Sequence, residues 1–88
     1  MNYPDRETMM ALAYMVGAEG LNWHEDMDSL SVVRDGVPYR VEFEQYDELK
    51  RRGWVADSET AAWVTDAGRY WSDKWMRREE LRIVEAFA

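Results

Sequence analysis

The sequence predicts a small α+β domain that is mainly α-helical and carries one short β-hairpin. Two apolar runs, Trp54-Val55 and Ala61–Val64, flank a polar interval, as in two strands joined by a tight loop. Gly53 precedes the hairpin and supplies the left-handed conformation in which many helices end. After Asp66, large apolar residues recur at helical spacing, which predicts a long C-terminal helix over about 66–86.

Composition narrows the class of protein. A chain of 88 residues is long enough for one hydrophobic core, so we expect residues 1–88 to form a single domain. The absence of cysteine excludes disulfides, thiolate metal sites and a thiol nucleophile. No apolar run approaches the roughly 20 residues that a membrane-spanning helix needs. We therefore expect a cytoplasmic protein that has no membrane partner.

Acidic residues are concentrated in the first half of the chain. The net charge is −7; residues 1–49 hold eleven acidic and three basic residues, whereas residues 50–88 hold seven acidic and eight basic residues. This distribution predicts a polarised electrostatic surface that could select a charged partner. Solubility, or adaptation to a salty cytoplasm, explains an acidic composition equally well.

The N-terminal segment predicts the first helix. Met9, Leu12 and Val16 recur at helical spacing, so we expect a helix over Asp5–Val16. Acidic residues near its start suit the positive end of the helix dipole. Gly17 is expected to end it.

An irregular segment is expected over residues 17–27, with Leu21 and Trp23 turned inward. The segment contains the sole histidine of the sequence, His24, and three acidic residues lie within the four residues that follow it. Histidine and carboxylates are metal ligands, but one histidine without a spaced partner does not make a zinc or calcium motif. We expect a solvated acidic loop and no metal or other cofactor.

Residues 29–43 allow two interpretations. A β-hairpin is favoured by two β-rich runs on either side of Asp35-Gly36, which is a strong turn signal. A helix-turn-helix is favoured by Pro38, which suits the first position of a helix, and by the spacing of Tyr39, Phe43 and Tyr46 along one helical face. We prefer the helical interpretation because that face runs directly into the helix end before Gly53.

The stretch from Tyr46 to Trp71 resembles the second half of a winged helix-turn-helix domain. Members of that superfamily have a helix that ends in leucine, three residues and glycine, then a hairpin called the wing, and then a helix entered through threonine-x-x-glycine and a basic residue. The matching residues here are Leu49, Gly53, Trp54, Val55, Thr65, Gly68 and Arg69. The resemblance implies a single winged-helix-like domain with its wing at about 54–64.

Residues that could support catalysis are sparse. The sequence has no glycine-rich phosphate loop, and no motif links His24 to a serine or threonine nucleophile. Adjacent acidic residues such as Glu79 and Glu80 diverge on a helix, so they form a solvated face rather than a catalytic pair. We therefore expect that the protein is not an enzyme.

The first functional hypothesis is a non-catalytic regulator or inhibitor that binds a protein with a basic surface, such as a nucleic-acid-binding complex. In size and charge alone, the chain is similar to small counter-defence proteins of phages and mobile elements, including anti-CRISPR proteins that mimic DNA. The expected contact is an acidic face on the third helix and wing of the winged-helix resemblance. Its residues are Glu42, Glu44, Asp47, Glu48, Asp57 and Glu59.

The second hypothesis is a winged-helix transcription regulator, because that superfamily places its third helix in the major groove of DNA. The acidic residues on that helix oppose it, since they repel phosphates. The candidate DNA-binding residues are Arg40, Gln45, Lys50, Arg51, Arg52 and Ser58. In related proteins the terminal helix often forms a homodimer, for which the candidate residues here are Trp71, Trp75, Leu81 and Val84; packing against the chain's own first helix is the alternative.

Overall fold

The computed structural model describes residues 2–18, 20–23, 29–59 and 61–87, with side chains for all of these except residues 20, 23 and 80–87. Three helices and two small antiparallel sheets confirm the expected α+β class. The elements in chain order are α1 (Arg6–Val16), β1 (Gly20–Trp23), β2 (Ser29–Arg34), β3 (Val37–Glu42), α2 (Phe43–Arg51), β4 (Val55–Asp57), β5 (Ala62–Val64) and α3 (Asp66–Phe87).

Helix α1 ends at Val16, as the sequence predicted, and begins at Arg6, one residue after the predicted start. Asp5 is its N-cap, and one carboxylate oxygen accepts a hydrogen bond from the Thr8 backbone amide at 3.0 Å. This bond satisfies an amide that has no partner within the helix. Met9 and Leu12 are fully buried and form the face of α1 that lies against the rest of the domain.

Residues 29–42 form a β-hairpin, so the helix-turn-helix interpretation of this segment is wrong. The register pairs Leu30 with Val41, and both side chains are fully buried. The turn residues Asp35 and Gly36 have φ angles of 52° and 75°, the left-handed pair that a tight hairpin requires. Pro38 is tolerated because β3 is an edge strand of the sheet.

Strand β1 occupies part of the segment that we expected to be irregular. It pairs antiparallel with β2 and completes a sheet in the order β1-β2-β3. Leu21 is half-buried and packs against the core, as expected for that residue. The run is only four residues long, and Gly20 and Asn22 have low strand propensity, so the strand depends on its neighbour rather than on local sequence. Residues 24–28 lie outside the described part of the chain.

The segment from α2 to α3 is tied together by caps. Gly53 follows α2 with φ of 74°, the left-handed conformation that we expected there. The Thr65 hydroxyl accepts a hydrogen bond from the Gly68 amide at 3.1 Å and donates one to the Gly53 carbonyl at 2.7 Å. Thr65 therefore caps α3 and also holds the start of α3 against the end of α2.

The first half of α3 packs against Trp54, in the turn that precedes β4. Trp54 is fully buried, and its ring stacks with that of Trp71 at 6.2 Å between centroids. Gly68 lies so close to this region that a Cβ atom placed there would be 2.0 Å from the Trp54 carbonyl oxygen. A residue without a side chain is therefore required where α3 crosses the backbone at Trp54.

Candidate functional site

The charged residues singled out in the sequence lie on the end of β3, on α2 and on the hairpin that follows α2. We call this area the α2 surface. It carries six carboxylates and four cations, so its formal charge is −2. Its members are Arg40, Glu42, Glu44, Gln45, Asp47, Glu48, Lys50, Arg51, Arg52, Asp57, Ser58 and Glu59.

Four of the six carboxylates have a basic partner within the same surface. Asp47 pairs with Arg51 at 2.8 Å and Glu48 with Arg52 at 2.9 Å, each one helical turn apart. At the start of α2, Glu42 pairs with Arg40 at 3.2 Å. Glu44 and Glu59 are exposed, and no cation within 4 Å of either carboxylate is described. The residues expected to form an acidic face therefore form a largely compensated surface.

The fourth pair joins the hairpin to α2. Asp57 pairs with Lys50 at 3.0 Å and accepts a hydrogen bond of 2.7 Å from the hydroxyl group of the buried Tyr46. The Tyr46 bond, followed by the Lys50 bond, lowers the pKa of Asp57 below its usual value. Burial is the main cause that raises the pKa of Tyr46, and its bond to Asp57 adds to the effect. Asp57 thus stays charged and fixes one edge of the hairpin.

Most side chains that were proposed to contact DNA form ion pairs or hydrogen bonds within the protein itself. Lys50, Arg51 and Arg52 are the cations of three of the ion pairs, and Arg52 also donates to the Asn2 carbonyl at 2.8 Å. The Gln45 side-chain oxygen accepts from the Glu42 amide at 3.1 Å, which stabilises the start of α2. These groups would have to exchange present partners to meet phosphates.

Phe43 and Trp63 are exposed aromatic side chains that the sequence did not suggest as contact residues. Phe43 is 51% exposed, although the helical interpretation placed it on a buried face. It is exposed because α2 begins at Phe43 and buries Tyr46 and Leu49 instead. Trp63 is 46% exposed on β5, whose neighbours Ala62 and Val64 pack against the core. The alternation of side chains along a strand is the sequence signal that predicts an outward-facing Trp63 between two inward-facing neighbours.

Two tryptophans of the helix that was proposed to form a dimer, Trp71 and Trp75, pack against other parts of the same chain. Trp75 is 5% exposed and belongs to the core, and Trp71 packs between the rings of Trp54 and Tyr3. Helix α3 lies against α1, as in the alternative considered above. The side chains of Leu81 and Val84 lie outside the described residues.

A metal site needs several histidine or carboxylate ligands close together, which for this protein concerns the residues with described side chains. No cluster of three or more histidine, aspartate or glutamate residues suitable for a metal occurs in that part of the chain. Among the same residues, none of the helices is apolar over a length sufficient to cross a bilayer. The α2 surface and the exposed ring of Phe43 beside it are available for contact with another molecule.

Comparison with protein-family models, with curated proteins and with solved structures finds no match to this chain.

Proposed function

We propose that this protein is a small non-catalytic regulator that binds another protein through the α2 surface and the adjoining ring of Phe43. The observation that carries the proposal is the half-exposed Phe43 beside the exposed Glu44 at the start of α2. Aromatic anchors surrounded by polar groups are typical of protein interfaces, in which a few such residues supply most of the affinity.

The charge of the surface indicates the kind of partner. Its formal charge is −2 in a protein of net charge −7, so association with a basic surface is favoured at long range. A DNA mimic needs a row of carboxylates without cation partners, whereas four of the six here have one.

The proposal is tested by affinity capture with matched variants. We expect Phe43→Ser and Glu44→Lys to lose a partner that the wild-type protein retains. Tyr70→Ser and Glu7→Lys are the controls, because Tyr70 is 58% exposed and Glu7 is exposed, and both lie outside the α2 surface. The affinities are then measured with the purified partner by calorimetry.

A second pair of variants separates local charge from overall charge. Asp47→Lys and Asp73→Lys each remove the carboxylate of an exposed pair with an arginine one turn along a helix. We expect only Asp47→Lys to weaken binding, by about tenfold or more. A tenfold loss of affinity corresponds to about 1.4 kcal/mol of binding free energy. Equal binding by both variants would overturn the assignment to α2.

DNA binding is the alternative outcome, and it has its own assay. Fluorescence anisotropy of duplex DNA at about 50 mM salt is permissive, because phosphate contacts strengthen as salt falls. Binding that is lost in Arg51→Gln would replace the protein-binding proposal with the transcription-regulator hypothesis. We expect no such binding, because Arg51 is already paired with Asp47.

A further inference from the structure

A groove lies between the N-terminal segment and α3, on residues that do not belong to the α2 surface. It is open to solvent, and its volume is about 490 Å³. Tyr3 and Pro4, which are half-buried, contribute apolar and aromatic atoms, whereas Trp75 contributes little because it is only 5% exposed. Asn2, Arg6, Arg78 and Glu79 contribute polar groups.

The charges in this groove differ from those of the protein as a whole. Two guanidinium groups and one carboxylate line it, which gives a local charge of +1 in a protein of net charge −7. Arg6 and Glu79 pair at 2.9 Å, and the Glu79 side chain is only 18% exposed. The charge of Glu79 is therefore compensated by Arg6, and it orients the Arg6 side chain.

Arg78 is the group that distinguishes this groove. Within the described part of the chain, its guanidinium makes no ion pair or hydrogen bond. An arginine presents a planar fork of donors that matches the two oxygens of a carboxylate. Tyr3 lines the same groove and is half-buried, so part of its ring is open to pack against a flat apolar body.

We propose that this groove binds a small aromatic carboxylate, with the carboxylate on Arg78 and the ring against Tyr3. The volume accommodates one such molecule, and the positive charge selects an anion over a neutral analogue. The interaction is reversible binding without a covalent step.

The test uses benzoate as the probe and benzyl alcohol as its neutral analogue. Binding to the full-length protein is followed by NMR, through the indole N–H of Trp75 and the backbone amides of Tyr3 and Arg78. We expect shifts confined to these groups, with benzyl alcohol binding at least about tenfold more weakly, because it lacks the charge-assisted bonds. Absence of any shift up to about 10 mM benzoate would overturn the proposal.

Variants locate the anion. We expect Arg78→Gln to weaken benzoate binding about tenfold, and Arg78→Lys to restore part of it by returning the charge without the fork. Arg69→Gln is the matched control, since Arg69 is also an exposed arginine of α3 but does not line the groove. Equal losses in Arg78→Gln and Arg69→Gln would mean that the whole surface attracts the anion, which would refute a site at Arg78. The far-ultraviolet circular dichroism of each variant is compared with that of the wild type, so that a folding defect is recognised.

Discussion

Gly68 gives the sharpest test of how α3 is held against the rest of the domain. It lies in the first turns of α3, where replacement of glycine by alanine would ordinarily stabilise a helix by about 1 kcal/mol. Here the added Cβ atom would be 2.0 Å from the Trp54 carbonyl oxygen and 2.8 Å from a methyl carbon of Val64. Contacts under 3.0 Å are essentially never made by real Cβ atoms, so α3 must retreat by about 1 Å.

The cost of that movement exceeds the gain in helix propensity. Backbone shifts forced by overpacking cost typically about 1–3 kcal/mol. The same Trp54 carbonyl accepts the Thr65 amide at 3.0 Å, so the retreat also weakens a hydrogen bond that contributes about 1 kcal/mol. We expect Gly68→Ala to lower the free energy of unfolding by about 2–4 kcal/mol.

The measurement is urea denaturation together with thermal melting. For a domain of this size, where each kcal/mol shifts Tm by about 4–8 °C, the expected loss lowers Tm by roughly 8–32 °C. Ala67→Gly is the control, because Ala67 is exposed on the same turn and should lose only about 1 kcal/mol of propensity. A Gly68→Ala protein as stable as the wild type, or more stable, would refute the close approach of α3 to Trp54.

Three other outcomes follow from local contacts. Tyr46→Phe removes the donor to Asp57, so we expect a loss of about 1 kcal/mol, measured by urea denaturation at neutral pH. The lowered pKa of Asp57 gives stability that is present above about pH 4 and is lost as pH falls through that pKa, so Tyr46→Phe should flatten the acid limb of a pH titration of stability. Leu30→Ala empties a fully buried position between the sheet and α1 and should cost about 2–5 kcal/mol in the same denaturation assay. Gly53→Ala should cost about 1–2 kcal/mol, and Gly53→Asn less, because φ is 74° and no atom crowds the site.

The elements predicted well from sequence are those with strong local signals. Asp5 and Gly17 mark the ends of α1, and Gly53 and Thr65 mark the boundaries around the β4–β5 hairpin. Each of these residues acts through its own backbone conformation or its own side-chain bond, so neighbours along the chain are sufficient to identify it.

The secondary structure of residues 29 to 43 was harder to predict, because a helical and a strand periodicity coexist in this segment. Tyr39, Phe43 and Tyr46 have helical spacing, while Tyr39 and Val41 also alternate as in a strand. The structure follows the strand pattern because Leu30, Val32 and Val41 bury their side chains together in the sheet. That burial depends on pairing between strands, which spacing within one segment does not report.

The residues proposed as a contact surface remain a prediction, and the ion pairs among them did not follow from the sequence. Sequence placed the carboxylates of α2 near one another, yet the partnership of Lys50 with Asp57 depends on how the hairpin folds against the helix. The exposure of Phe43 likewise depends on where α2 begins. Net charge along a sequence therefore overstates how acidic the folded surface is.

The stacked indoles of Trp54 and Trp71 provide a natural optical reporter of the tertiary structure. Two indole chromophores 6.2 Å apart, with an interplanar angle of 26°, are close enough for their electronic transitions to couple. One ring belongs to the turn after α2 and the other to α3, so the coupling exists only while these elements are in contact. Circular dichroism of this pair would follow the docking of α3 without any attached label.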